Sequence, residues 1–428
     1  MDGDWRAGLF RRIEERTDDL VALTQELIRV PTVNPPGDAY TACAEIVGKR
    51  LKARGFEITY ARGVDTPGDS DRYPRTNVVA RIAGTGPGPC VHFNSHLDVV
   101  APGNGWTVDP FGGLVRDGKV YGRGACDMKG GLAASIIAVE AILDAGIPFP
   151  GALEISGTAD EESGGYGGVG YLAQRGYFSR PRVDHVIIPE PLNVDRVCIG
   201  HRGVWWARIE TLGRVAHGSM PFLGNCAVRH MGAVLERIEH DLLPRLARKE
   251  TRMPVVPEGA RRSTLNLDAI HGGQGEDFTG LLSSLVPDRC RMVFDRRYLI
   301  EESPEEVRGE IVALLEALKR ERPGFDYELH ELMHFAPVLT DAQAPVVRAV
   351  SAEVEAVLGR PAVHVVSPGT YDQKHILRVG HLEDCIAYGP GILDLAHQPD
   401  EYVGIADMVN SAKVMAAASL RLLTGAVP

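Results

Sequence analysis

The sequence predicts an open α/β sheet interrupted by a smaller inserted α+β module, and three observations carry that expectation. Short apolar or β-branched runs alternate with amphipathic helical spacing towards both ends of the chain. Several of those runs stop abruptly at acids or a histidine, as expected where buried parallel strands deliver polar groups at their carboxyl ends. Near residue 203 the texture changes to strand, helix, two strands, helix, strand, the split βαββαβ order. The predicted organisation is therefore a catalytic domain over 1–202, an insert over 203–332 and the remainder of the catalytic domain over 333–428.

Each element has a local reason. Leu9, Ile13, Leu20, Leu23 and Leu27 recur at helical spacing with charges between them, which predicts one amphipathic helix over 5–29. IRVPTVNPPGD breaks it with prolines and a glycine, and a second helix runs to about Ala53. FEITYA, TNVVARIAG and CVHFNSHLDVV read as strands, the last ending at His96-Leu97-Asp98. A helix over 129–145 precedes the strand ALEISGTA, which ends at Asp160-Glu161-Glu162, and VDHVIIPEP repeats the pattern with Glu190 at its end. In the insert, GVWWARIETLG, STLNLDAIHGG and CRMVFDRRYLI are strand-like, with helices expected near 225–248 and 304–321. From Pro337 the α/β texture returns as a helix over 344–358, the strand AVHVV and a last helix over 404–423.

Composition narrows the function. The 428 residues carry a net charge of −11, with no basic patch of the kind that nucleic acid or an anionic membrane requires. RLARKETR, the densest basic stretch, is broken by apolar residues and a glutamate and reads as a solvated helix face. Seven cysteines without a CxxC pair argue against a disulfide framework or zinc ribbon and for a reducing, cytoplasmic setting. No signal-peptide pattern or apolar run of membrane-spanning length is visible. GxSxG, GxxxxGK[ST] and HExxH are absent, and GTGPGP at 84–89 has prolines where a phosphate-binding loop needs N–H groups.

What remains is a set of acids and histidines at strand ends and in Gly-rich turns: His96, Asp98, Asp127 in GRGACDMKGG, Glu161 and Glu162, Glu190, and His397. Singly, each reads as a hydrogen-bonded surface group or a solvated turn. Together, and without lysine or arginine beside most of them, they imply a bound cation, since clustered carboxylates repel unless one lies between them. Imidazoles with carboxylates suit one or two borderline ions such as zinc, with manganese or cobalt tolerated. Asp98, two residues from His96 on the same side of a strand, is placed to fix its tautomer.

HLDVV, GRGACDMKGG, TADEESGG, IIPEP, RVAHGSMP and YGPG…AHQPDEYV resemble, in order and spacing, the M20 family of metal-dependent amidohydrolases, over essentially the whole chain. That family includes acetylornithine deacetylase, succinyl-diaminopimelate desuccinylase, aminoacylase and the glutamate carboxypeptidases. The resemblance implies a zinc-exopeptidase-like mixed sheet flanked by helices, with the insert as a ferredoxin-like lid that also makes a homodimer contact. It implies His96 and Glu190 as ligands of one metal, Glu162 and His397 of the other, Asp127 bridging both, and a cis Asp127–Met128 peptide. It further implies Asp98 as the group orienting His96, Glu161 as general acid/base, and His217 with Asn266 as lid donors to the oxyanion.

For the substrate, the resemblance implies carboxylate recognition by Arg297 in Asp295-Arg296-Arg297 and by a Gly369-Thr370 loop. The loop departs from the GTSDGR form of desuccinylases: it reads Gly369-Thr370-Tyr371-Asp372-Gln373-Lys374-His375, with a lysine where an arginine is usual. Lys374 offers a point charge rather than a fork, so recognition there is expected to be less specific, with Tyr371 and His375 adding aromatic and titratable surface. Read without the family, Lys374 and His375 start a helix and face water. The expected activity is hydrolysis of the amide bond of a small carboxylated substrate such as an N-acyl amino acid. The same water chemistry on a dipeptide, carbamoyl or aryl-amine C–N bond, or a non-catalytic binding role, stands as the alternative.

Overall fold

The computed structural model describes residues 5–273 and 284–425. It divides into two compact units, one of Met1–Gly200, Thr340–Val365 and Tyr371–Pro428, the other of His201–Leu339 with Val366–Thr370.

The first unit is built on a mixed sheet. Its strands lie in the order Glu57–Arg62, Thr76–Ala83, Ala152–Thr158, Cys90–His96, His185–Ile188, Cys385–Ala387 and Arg196–His201. The middle four run parallel, and the flanking pairs are antiparallel. The parallel strands Cys90–His96 and Ala152–Thr158 are buried along their whole length, as expected of strands covered on both faces. Helix Gly130–Asp144 is enclosed and apolar on nearly every side, with Glu140 its one buried charge, and helix Ile405–Thr424 packs against it. All four carboxyl ends of the parallel strands therefore open on one edge of the sheet, the position where α/β folds bind ligands.

Two elements differ from the periodicity. The single helix expected over 5–29 is two, Trp5–Glu15 and Thr17–Ile28, with Arg16 between them. The guanidinium of Arg16 is held there by Asp19 and the buried Glu140, a tertiary pairing that hydrophobic spacing does not report. The strand Cys385–Ala387 is only three residues long, too short to register as a pattern, yet it pairs in parallel with His185–Ile188 in the middle of the sheet.

In the second unit, four antiparallel strands lie in the order Thr264–Gly272, Arg289–Tyr298, Gly203–Leu212, Asp326–Phe335. Alternation puts Trp205, Ala207, Ile209, Met292 and Phe294 on one face, where they meet Met231, Val234, Ile311 and Leu315 from helices Ala227–Arg237 and Pro304–Glu321. Ser303 and Glu306 close the start of the latter helix as a capping box. Among the described residues no helix is long and apolar enough to cross a membrane.

Close backbone contact beside the sheet edge makes one glycine indispensable. A Cβ on Gly131 would lie 2.0 Å from the carbonyl oxygen of Pro189, the residue before Glu190. Gly131→Ala is expected to destabilise the protein by about 1–3 kcal/mol or more through overpacking. Gly232→Ala, at a helical glycine with nothing within 4 Å, should be neutral or stabilise by up to about 1 kcal/mol. Thermal melts of the two variants check the contrast.

Candidate metal centre

His96 is the last residue of its strand, and the chain then passes to Leu97 and Asp98. Its Nδ1 donates to the backbone carbonyl of Asp98 at 3.0 Å, which leaves Nε2 as the ligating nitrogen. The Asp98 carboxylate, expected to orient His96, stands 3.7 Å from Nδ1 and faces elsewhere. It accepts from the backbone N–H groups of Glu161 (3.2 Å) and Glu162 (3.1 Å) and from Asn34 Nδ2 (3.0 Å). Asp98 thus holds the turn that presents the two glutamates, and its main chain fixes the imidazole.

Asp127 lies at the centre of the cluster. One carboxylate oxygen is 3.0 Å from His96 Nε2 and the other 3.5 Å from His397 Nε2. Glu190 is 3.9 Å from His96, and Glu162 3.2 Å from His397. These groups form two possible ligand triads, His96–Asp127–Glu190 and Asp127–Glu162–His397, within each of which the ligand atoms lie within 4.8 Å of one another. The Asp127–Met128 peptide is cis. Under the loop, Glu401 Oε1 accepts from the N–H groups of Cys126 (2.8 Å) and Asp127 (3.0 Å), while Oε2 pairs with the buried Arg123. Asp160 turns the chain from its strand into the glutamate turn with φ 74°, a left-handed conformation that aspartate tolerates.

The electrostatics call for positive charge. Burial, with Asp127 alongside, pushes Glu162 up to about 7 and drives Glu190 well above its usual range. Asp127 and Glu162 push His397 up to about 11. Burial works against a charged His96, yet Asp127 and Glu190 still raise it well above its ordinary value. Without a cation, the carboxylates recruit protons and imidazolium charge instead, so the donor set fits one or two divalent ions. A third cluster, Glu210–Glu328–His330, lies in the second unit, where Arg289 already occupies Glu210 at 2.7 Å.

The peptidase family M20/M25/M40 model matches residues 92–421, a span that contains all five ligand candidates. The chain belongs to that family. As a member of family M20/M25/M40 it is a metal-dependent amide hydrolase. It is 31% identical over 417 residues to a succinyl-diaminopimelate desuccinylase of Rhodospirillum centenum, covering 96% of this chain and 99% of the relative. Among solved structures, human carnosine dipeptidase 1 superposes with TM-score 0.79 at 18% identity over 99% of both chains. A dinuclear metal-binding M20 peptidase from Bacillus subtilis superposes with TM-score 0.67 at 16% identity, over 96% of this chain and 99% of that one. At those identities the two structures speak for the fold.

The other site candidates of this M20 chain fall in two groups. Tyr371, Lys374 and His375 belong to the first unit and are buried rather than turned to water. Tyr371 Oη donates to Gln373, His375 Nε2 donates to the Gly164 carbonyl at 2.7 Å, and Lys374 Nζ lies 3.1 Å from Glu161 Oε1. The helix they begin, Gln373–Arg378, packs its first turn inward. Gly369 and Thr370 are half-buried in the second unit, as is Arg297. Arg297 is held by Asp295 (2.7 Å) on the sheet face away from the core, the face shared with Asn266, while Arg296 turns inward to Glu302 and Glu310. Asn266 is exposed and donates to Asp268, and His217 is exposed with Nδ1 accepting from Ser219 Oγ at 2.8 Å.

Sequence reasoning missed Glu401 and Arg202. Glu401 stands in the quoted AHQPDEYV motif, but its task is tertiary. Arg202 is buried, donating to the carbonyls of Pro368 (3.0 Å) and Arg262 (2.9 Å). Burial, with Arg297 nearby, brings it down to about 10. An HRG tripeptide after a strand was the available signal.

Metal binding must strip protons from Glu162 and His397. Zinc affinity, measured by competition with a chromogenic chelator, should fall about tenfold or more per unit as pH is lowered from about 8 to about 6. An affinity independent of pH contradicts this ligand set.

Proposed function

We propose that this M20 chain hydrolyses the amide bond of a small N-acyl amino acid that carries a free carboxylate. A pair of divalent ions, zinc foremost with manganese and cobalt as substitutes, would be held by His96 and Glu190, by Glu162 and His397, and by Asp127 between them. One observation carries the reading: the two triads share Asp127, one oxygen to each imidazole, and Glu161 stands beside Glu162 on a turn pinned by Asp98. When bound, such ions polarise the scissile carbonyl and acidify the attacking water.

The remaining steps belong to the chain's own residues. Glu161 takes the proton of the attacking water and returns it to the leaving nitrogen. Asp98 keeps both glutamates presented, and Glu401 with Arg123 keeps Asp127 from collapsing away from its partners. In the second unit, His217 and Asn266 supply donors for the oxyanion. Arg297, Arg202 and the Gly369-Thr370 loop supply the charge and N–H groups that a substrate carboxylate needs. The name of the Rhodospirillum relative puts N-succinyl amino acids first among candidates. Exposed Val215, Met220, Phe222 and Leu223 in the second unit support assembly as a homodimer through it. Seven free cysteines support a reducing, cytoplasmic setting.

The test is a panel of N-succinyl, N-acetyl and N-formyl amino acids, dipeptides, carbamoyl amino acids and aryl amines. Chelation should abolish turnover, and zinc, manganese or cobalt should restore it. Glu161→Gln should lower kcat by roughly 10²- to 10⁴-fold while retaining metal. Full activity in that variant, or silence of the wild type on every amide, overturns the reading. His217→Ala should cost about 10²- to 10³-fold in kcat if it donates to the oxyanion, and an unchanged kcat removes it from that role.

A further inference from the structure

Strand Cys90–His96 carries His92, Asn94 and His96 on one face, and the neighbouring parallel strand sets Glu154 and Ser156 in register with His92 and Asn94. Buried parallel strands are normally apolar here, yet these four side chains are fully buried. They form a line. Glu154, paired with Arg182 (2.6 Å) and Arg81 (3.1 Å), is 2.9 Å from His92 Nδ1. His92 Nε2 is 2.7 Å from Ser156 Oγ, which donates to Asn94 Oδ1 at 2.7 Å. Asn94 Nδ2 donates to Asp372 Oδ2 at 2.9 Å. Asp372 is buried at the N-cap position of helix Gln373–Arg378, two residues before Lys374. Lys374, its side chain 2% exposed, reaches Glu161 Oε1 at 3.1 Å.

Such a column is expensive to keep. Each buried polar group gives up its hydration, and apolar packing of equal volume is commonly as stable or more so. The column begins at a surface pair of arginines and ends on one oxygen of Glu161. A glutamate side chain has several rotamers of similar energy, and a general base in the wrong one is idle. Anchoring Oε1 leaves Oε2 as the oxygen that faces the reaction.

We propose that Lys374 is a positioning residue that locks Glu161 into a single rotamer, and that the line from Asp372 through Asn94, Ser156 and His92 to Glu154 fixes Lys374 in turn. The catalytic arm of this proposal rests on the reading of Glu161 as general base, and the structural arm does not.

The experiment uses the full chain, loaded with zinc, as wild type, Lys374→Met, Lys374→Arg, Asn94→Leu, Ser156→Ala and the Lys374→Met/Asn94→Leu double variant. Zinc stoichiometry and melting temperature are measured beside kinetics on the best amide of the panel. Lys374→Met should lower kcat by about tenfold to a hundredfold with KM changed less than about threefold, and Lys374→Arg should recover most of the loss. Asn94→Leu and Ser156→Ala should lower kcat by smaller factors in the same way, and the double variant should be no slower than Lys374→Met alone. Crystal structures should show Glu161 in one rotamer in the wild type and in several in Lys374→Met. A rise in KM at constant kcat would make Lys374 a substrate contact and overturn the proposal, as would additive losses or an unmoved Glu161. If Asn94→Leu does not fold, Ser156→Ala, which removes a single hydroxyl from the middle of the line, carries the coupling test. If the wild type cleaves no amide, the amidase reading fails and the Glu161 rotamers still decide the positioning.

Discussion

Negative charge gathered at one edge of a parallel sheet is the constraint on which the rest of the structure depends. Glu190 and Glu162 each bring a carboxylate oxygen to within 4.8 Å of Asp127, in a setting with little water to screen them. The fold resists dispersal in two ways. Histidines stand on both sides of Asp127, and two of the acids are tethered through their main chain, Asp127 by Glu401 and Glu162 by Asp98. Breaking the Glu401–Arg123 pair would leave a charge stranded in the interior, so the support below the centre is as constrained as the centre itself.

How far the sequence discloses this depends on whether a residue acts locally. His96, Glu161, Glu162 and Glu190 were legible because a polar group that ends a buried strand stands out against the apolar run before it. His397 and Asp127 follow no such run: Asp127 was legible from the glycines around it, and His397 as one more isolated histidine in a loop, while the division of both between two metals came from the resemblance of their motifs. Arg16 splits a helix whose leucine spacing is unbroken, because its partner Glu140 is more than a hundred residues away. The contact of Lys374 with Glu161 was not legible, since a helix start looks the same in sequence whichever side it faces.

The two arginines of the Asp295-Arg296-Arg297 strand show the same limit from another side. Period-two alternation requires them to face opposite ways but does not say which is buried. Arg296 sits in the core with two glutamates, while Arg297 stays on the open face with a single aspartate. Arg297 there meets Asp295, with Asp268 nearby, so the open face keeps acids beside its arginine.

The strand order of the first unit also sets a timetable. Its central parallel ladder needs Cys385–Ala387 beside His185–Ile188, a pairing between segments about two hundred residues apart that cannot form until the chain as far as Ala387 has left the ribosome. The antiparallel sheet of the second unit is complete by Phe335 and is free to form earlier. The candidate ligands follow the same order: His96, Asp127 and Glu190 precede the second unit in the chain, and His397 follows it. A nascent chain thus holds every residue of one triad before the second unit is made, while the other triad waits for His397.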